Sequence, residues 1–259
     1  MPELLEIETY RRAAEPVVGR RIATVQAPDD WYTKGATTPE ELRVVLPGRS
    51  VVGLRRIGKL LLLDTDGPVL GLRFGMTGRL LVDGGASIEQ LEYSSDRNDP
   101  AWDRFGLTFA GQGDLVIRDP RRLGGVELDP DESKLGPDAA SVTLKPFGAI
   151  LASSTAPLKA RLMDQARLAG MGNLLTDEAL WRAGLDPTRP ADSLAADEVA
   201  RLHRAMRRTL DVLGRRGGSH TGDLQPARER GGRCPKDGEE LRREDVGGRT
   251  TYWCPEHQA

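Results

Sequence analysis

Part way along this chain the hydrophobic period changes, and that change limits the possible folds more than any other feature. From about Arg21 to Leu128 apolar residues come in short runs broken by Gly, Pro and Asp, as in RVVLPG, SVVGLRRIGKLLLLD, VLGLRFGMTGRLLVDG and LTFAGQGDLVIRD. Runs of roughly four to eight residues at such spacing predict the strands of an antiparallel sandwich or barrel. The polar stretch 129–141, DPDESKLGPDAAS, holds two prolines and reads as a linker. Beyond it the spacing turns helical. LKPFGAILASSTAPLKARLMDQARLAG holds two candidate helices, and TDEALWRAG and SLAADEVARLHRAMRRTLDVLGRRGG hold two more. Ser193 is placed to cap the last of these, with Gly214 and Gly217–Gly218 as stops. A short amphipathic helix is expected over 3–15, and a small β-hairpin knuckle in the tail.

Length and composition fit that plan. With 259 residues, 38% hydrophobic and 29% charged, the chain suits two domains of ordinary size that need no disulfide staple. No apolar run exceeds four residues, Leu60–Leu63 among them, against the ~20 that a membrane helix requires. No basic-then-apolar leader opens the chain, so the expected location is cytoplasmic. Basic residues number 37 and acidic 39, for a net charge of −2, which argues mildly against a nucleic-acid partner. Only six of the 37 are Lys, the other 31 being Arg. Arg grips phosphate bidentately, but a genome rich in Arg codons would leave the same bias, and both readings stay open.

Two places carry candidate chemistry. In the tail, Cys234-x₂-Asp237 and Cys254-x₂-His257 stand sixteen residues apart. Two short-spaced pairs can aim four ligands at one tetrahedral zinc; a knuckle that has lost its metal would look similar. His203, in a polar helix, and His220, in a Gly-rich loop, read as solvated. At the other end, Met1-Pro2-Glu3 predicts loss of the initiator Met, leaving Pro2 as a secondary amine. Such an amine can attack an aldehydic carbon and form an imine, with Glu3 or Glu6 as the acid–base. On these residues alone an ordinary helix start with proline in its first turn is the simpler reading.

Taken together, the segments resemble the Fpg/Nei family of DNA repair proteins (formamidopyrimidine-DNA glycosylase and endonuclease VIII). MPELLEIETYRR resembles the family's opening, RRIGKLLLLD (55–64) its strand bearing an essential Lys, and RFGMTGRL (73–80) and RDPRRLGGVEL (118–128) two of its turns. LGPDA (135–139) matches its linker, residues 158–191 its helix–two-turn–helix signature, and the tail its zinc finger. The resemblance implies an α+β fold. An N-terminal helix and antiparallel β-sandwich (1–130) would be followed by a helix–two-turn–helix domain (140–216) and a zinc-finger-like hairpin (225–259), with damaged double-stranded DNA lying in the cleft between them.

The implied activity is that of a monomeric base-excision-repair glycosylase and abasic-site lyase, cytoplasmic and associated with the nucleoid when bound to DNA. Pro2 would attack C1′ of the damaged nucleotide, with Glu3 as acid–base, Lys59 binding phosphate beside the lesion and Glu6 shaping the pocket. Met76, Arg121 and Leu123 would fill the gap left by the everted nucleotide, Leu123 standing where the family has Phe. Asn173, Arg249 and, more weakly, Lys159 would hold phosphates. One structural zinc would sit on Cys234, Asp237, Cys254 and His257, where Asp237 and His257 replace two of the family's cysteines. Leu5, Phe74 and Leu175 are further departures. The connector 218–233 has only 16 residues and leaves little to read an everted 8-oxoguanine. Weak action on that base is therefore expected, with better action on abasic sites, formamidopyrimidines, hydantoins or oxidised pyrimidines. Two rival readings are a non-catalytic binder of abasic or distorted DNA, and a glycosylase for bulky or alkylated bases with weak lyase activity.

Overall fold

The computed structural model describes residues 2–88, 91, 97–111 and 113–259. The chain divides into two compact units, Met1–Glu132 and Ser133–Ala259, so the boundary falls inside the polar stretch 129–141.

The first unit opens with helix α1 (Leu4–Ala13), followed by strand β1 (Ile22–Gln26) and helix α2 (Pro39–Val45). Next come β2 (Val51–Ile57), β3 (Leu60–Thr65), β4 (Val69–Arg73), β5 (Arg79–Val82), β6 (Gly85–Ala86), β7 (Asp103–Phe109), β8 (Asp114–Arg118) and β9 (Gly125–Leu128). They form two antiparallel sheets, ordered β1-β7-β8-β5-β6 and β2-β3-β4-β9. Ile22, Phe105, Leu107 and Ile117 from one sheet and Leu61, Leu63, Leu72 and Val126 from the other belong to a single buried cluster, which makes the pair a sandwich. Ile7 and Tyr10 of α1 join that core.

One expected strand is a helix. RVVLPG (43–48) ends α2, because Thr38 caps it by accepting the Glu41 N–H at 3.1 Å, Pro39 starts it, and Glu40 and Glu41 face its positive end. A three-residue apolar run carries no period, and the cap decides.

The second unit holds α3 (Leu144–Ala152), α4 (Leu158–Met163), α5 (Asn173–Ala183), α6 (Ala196–Arg216) and the hairpin β10 (Arg242–Asp245) with β11 (Thr250–Trp253). α5 stops at Gly184 and α6 at Gly217, both left-handed (φ +66° and +106°), as glycine caps do. Gly214 lies inside α6. Ser193 closes a short 3₁₀ turn, and the first turn of α6 is instead satisfied by Glu198, whose carboxylate accepts the Ala195 N–H at 2.9 Å. His203 is half-buried, with Nε2 2.9 Å from the Val142 carbonyl and its ring 5.3 Å from Phe147, so it packs rather than floats. His220 is exposed as expected.

Candidate active site and metal centre

Pro2 is buried and leads directly into α1. Glu3, the N-cap, is fully buried, and its backbone N–H donates to Glu6 Oε2 at 2.8 Å. A helix start leaves its first amides unpaired, and Glu6 satisfies one of them. The bonding is reciprocal: Glu6 accepts the Glu3 N–H and the Glu3 side chain accepts the Glu6 N–H, so both carboxylates cap the helix, and Glu3 is the one next to Pro2 in the chain.

Two side chains of α1 fasten it to the turns of the sandwich. The Tyr10 hydroxyl donates to the Gly78 carbonyl at 3.0 Å, and its ring lies 4.6 Å from that of Phe74. Burial, reinforced by the Glu6 charge, pushes the phenol far above its ordinary value and keeps it a donor. Glu8 accepts from Arg56 at 3.2 Å and Arg11 at 2.9 Å. Burial alone would raise the Glu8 carboxyl, but these guanidinium partners outweigh it and hold the carboxyl below its ordinary value. Arg56 also donates to the Gly58 carbonyl at 2.9 Å. That steadies the two-residue Gly58–Lys59 turn between β2 and β3, where Gly58 takes the positive φ (+57°) of a type II′ hairpin and Lys59 is half-buried.

Met76, half-buried, lies in the β4–β5 turn; Arg121 and Leu123, both exposed, lie in the β8–β9 turn. The buried carboxylate of Asp119 joins the two turns, a role its sequence position did not reveal. It accepts from Thr77 Oγ1 at 2.5 Å, the Arg121 N–H at 3.2 Å, the Gly124 N–H at 2.9 Å and the Tyr32 hydroxyl at 3.3 Å. The turns also touch directly. A side chain on Gly75 (φ +57°) would stand 2.4 Å from the Leu123 carbonyl carbon, so only glycine fits there.

In the second unit, Lys159 is fully buried and ion-paired with Asp177 at 2.7 Å, and it donates to Thr251 Oγ1 at 2.7 Å and the Thr250 carbonyl at 3.3 Å. Arg228 pairs with the same Asp177 at 2.6 Å. The Lys159 ammonium therefore ties α4 and α5 to β11 and points inward, where a surface phosphate grip was expected. Asn173 is the first residue of α5; its Oδ1 is buried with no hydrogen-bond partner among the described residues. Arg249 is exposed at the turn of the β10–β11 hairpin, beside Gly247 and Gly248.

Cys234, Asp237, Cys254 and His257 each offer a ligand atom within 4.8 Å of the others. A tetrahedral zinc with bonds near 2.0–2.3 Å would set ligand atoms about 3.3–3.8 Å apart. Cys234 Sγ lies 3.5 Å from His257 Nδ1, and Asp237 Oδ2 lies 3.2 Å from Cys254 Sγ and 2.9 Å from His257 Nδ1. His257 Nε2 is 3.1 Å from the Trp181 carbonyl; donating there turns the Nδ1 lone pair toward the other ligands. Trp181 Nε1 donates to Cys234 Sγ at 3.3 Å, so α5 supports the cluster as well as the hairpin. The Cys234–His257 separation lies in that range and the two from Asp237 are shorter; the donor types suit a metal ion, and this group could hold one.

A sandwich led by Pro-Glu at a helix start, followed by a helix–two-turn–helix unit closed by a metal-type hairpin, defines a class of DNA-repair architecture. The N-terminal domain model of formamidopyrimidine-DNA glycosylase matches residues 1–126, and the H2TH domain model of that enzyme matches 135–223. This chain belongs to the formamidopyrimidine-DNA glycosylase family. It is 35% identical to the enzyme of Paracoccus denitrificans, over 98% of this chain and 99% of that one, and 33% identical to the enzyme of Geobacillus kaustophilus over all of both. Among solved structures it is similar to Lactococcus lactis Fpg bound to abasic-site DNA, with TM-score 0.84, 28% identity and full coverage of both chains. It is also similar to the same organism's Fpg bound to FAPY-dG DNA, with TM-score 0.82, 28% identity and 99% of each chain covered. No helix among the described residues is long and apolar enough to cross a membrane.

Proposed function

We propose that this chain is a glycosylase and abasic-site lyase acting on damaged duplex DNA in base excision repair, with Pro2 as nucleophile once Met1 is removed. An α-amino group titrates at about 7.7–8.0, so a useful minority, roughly a tenth, is free base at neutral pH. Its nitrogen lone pair forms a bond to C1′ as the bond from C1′ to the base breaks, and Glu3 protonates the sugar ring oxygen as the ring opens. The resulting iminium acidifies C2′. The Glu3 carboxylate, left after it protonated the ring oxygen, takes that proton as the C3′–O bond breaks and the 3′ phosphate leaves. Loss of the C4′ proton to solvent then breaks the C5′–O bond and releases the 5′ phosphate. Water then hydrolyses the imine and frees Pro2. The observation that carries this reading is the start of α1, where the buried Glu3 directly follows Pro2 and is oriented by a reciprocal capping box with Glu6.

Lys59, Asn173 and Arg249 are assigned to phosphates, Asn173 beside the amides of a helix start. Met76, Arg121 and Leu123, on bonded turns, are assigned to the gap that base eversion leaves. Lys159 is assigned to bracing the hairpin that carries Arg249. The ion on Cys234, Asp237, Cys254 and His257 is read as one structural zinc, which suits two thiolates, a carboxylate and an imidazole. Abasic sites and formamidopyrimidines are the proposed substrates, as in the DNA held by the Lactococcus lactis structures. The test is borohydride reduction with a duplex containing one abasic site, after mass spectrometry has verified loss of Met1. A covalent adduct mapped to Pro2 is expected; an adduct of equal yield from protein with a blocked terminus would overturn the assignment.

A further inference from the structure

Trp31 is 69% exposed, more than any other large apolar side chain among the described residues, and Leu123 is 49% exposed. The segments that carry them are bonded on both flanks. Asp29 accepts the Trp31 N–H at 3.1 Å and the Arg122 guanidinium at 2.5 and 2.6 Å. On the other side, the Tyr32 hydroxyl donates to Asp119 and lies against Gly124, where a side chain would come within 2.3 Å of it. The Lys34 N–H donates to the Val126 carbonyl at 2.9 Å. Residues 29–34 are thus fixed alongside 119–126, so the Trp31 ring is presented by a rigid backbone. The Lys34 ammonium donates to the Trp31 carbonyl at 2.7 Å and lies 5.8 Å from the ring centroid, which puts a cation beside the ring.

From this we infer that Trp31 is a DNA-contacting residue that packs its ring on an unstacked base at the lesion, supplying the aromatic face that Leu123 lacks. The inference rests on the proposed action on damaged DNA. The occupant follows from continuity and chemistry. Arg121 and Leu123 occupy the bonded turn, a π-face is a sequence-tolerant platform for any base, and the neighbouring cation favours phosphate. Asp30, exposed and next to Trp31 in the chain, adds a negative charge nearby that disfavours a phosphate over the ring. A base face therefore suits the ring better than the backbone does. Leu has no ring to stack, so the loss at one position and the exposed ring at the other are complementary.

The test compares wild type, Trp31→Ala, Trp31→Phe and Trp31→Ala/Leu123→Phe for binding to an abasic duplex and to its undamaged counterpart. Thermal denaturation checks that each variant is folded. Trp31→Ala is expected to weaken abasic-duplex binding by roughly tenfold, as loss of one stacked base does, and to change undamaged binding little. Phe at 31 should retain most of the affinity, and Phe at 123 should restore much of what Trp31→Ala loses. In wild type, the abasic duplex should protect one tryptophan from acrylamide quenching, and Trp31→Phe should lack that protection. Equal loss on both duplexes, or an unprotected Trp31 in a complex that forms and is trapped by borohydride, would overturn this assignment while leaving the proposed function standing. A wild-type chain that neither prefers the abasic duplex nor forms the adduct would overturn both.

Discussion

Glu3 and Glu6 are one helical turn apart and cap each other's backbone amides, and Glu3 is the one that follows Pro2 directly. Gln at position 6 keeps an acceptor for the Glu3 N–H, so Glu6→Gln should leave melting nearly unchanged, whereas Glu6→Ala should cost about 1 kcal/mol. Glu3→Gln should keep the fold and slow base release by roughly a hundredfold or more under single-turnover conditions. If Glu6→Gln stopped base release as completely as Glu3→Gln with melting intact, the assignment of the acid–base to Glu3 would be wrong. Pro2 and Glu3 are singled out by the resemblance of the chain's opening, since on those residues alone an ordinary helix start is the simpler reading. Asp119 and Tyr10 were not legible in the sequence, since their partners Thr77 and Gly78 lie 42 and 68 residues away and no local pattern marks them. Asp119→Ala leaves several buried donors without an acceptor, at about 1–3 kcal/mol each. It should lower the melting temperature and slow excision of a stacked damaged base more than elimination at a ready-made abasic site; equal slowing of both would detach Asp119 from gap filling.

At the scale of elements, periodicity located α1, α3, α4, α5, α6 and the long strands, and it misjudged the ends. The start of α6 shows why. Ser193 has the right chemistry for a cap, but Pro190 and the 3₁₀ turn use it, Ser193 Oγ donating to the Pro190 carbonyl at 2.8 Å. Glu198 takes over, accepting the Ala195 N–H and pairing with Arg189 at 2.8 Å. The Arg189 hydrogen bond, with that of the Ala195 N–H, lowers the Glu198 carboxyl from 4.5 to about 2. Because the folded value lies below the unfolded one, this contribution is fully present above about pH 4.5 and is lost as pH falls through about 2. Glu198→Gln should therefore melt below wild type at neutral pH, and the gap between the two should close as pH falls across that window. A gap independent of pH would show that the carboxylate charge contributes nothing.

For the molecule as a whole, the metal-type cluster and the connector are the two features whose consequences are testable on stability and on substrate. The core under the hairpin is small, with Trp181, Leu224, Cys234, Leu241 and Cys254 buried together, so the four ligands have much of the joining to do. An ion held at a hundred times its Kd stabilises by about 2.7 kcal/mol. Chelation should lower the melting temperature and DNA affinity, zinc should restore both, and a chelated protein that melts and binds unchanged would remove the ion from the account. The connector bears on the substrate. Its backbone is drawn down onto α5, where Glu178 accepts the N–H groups of Asp223 at 3.0 Å and Leu224 at 2.9 Å and Leu224 is fully buried. Arg182 and Arg216 each pair with Asp223 at 2.6 Å. Residues spent on this packing are not free to close over an everted purine, and only 16 lie between Gly217 and Cys234. Under single-turnover conditions, 8-oxoguanine opposite cytosine should be released at least roughly tenfold more slowly than an abasic site is cleaved, a barrier difference of about 1.4 kcal/mol. Comparable rates would mean that 8-oxoguanine is read without a capping loop, by groups elsewhere in the chain.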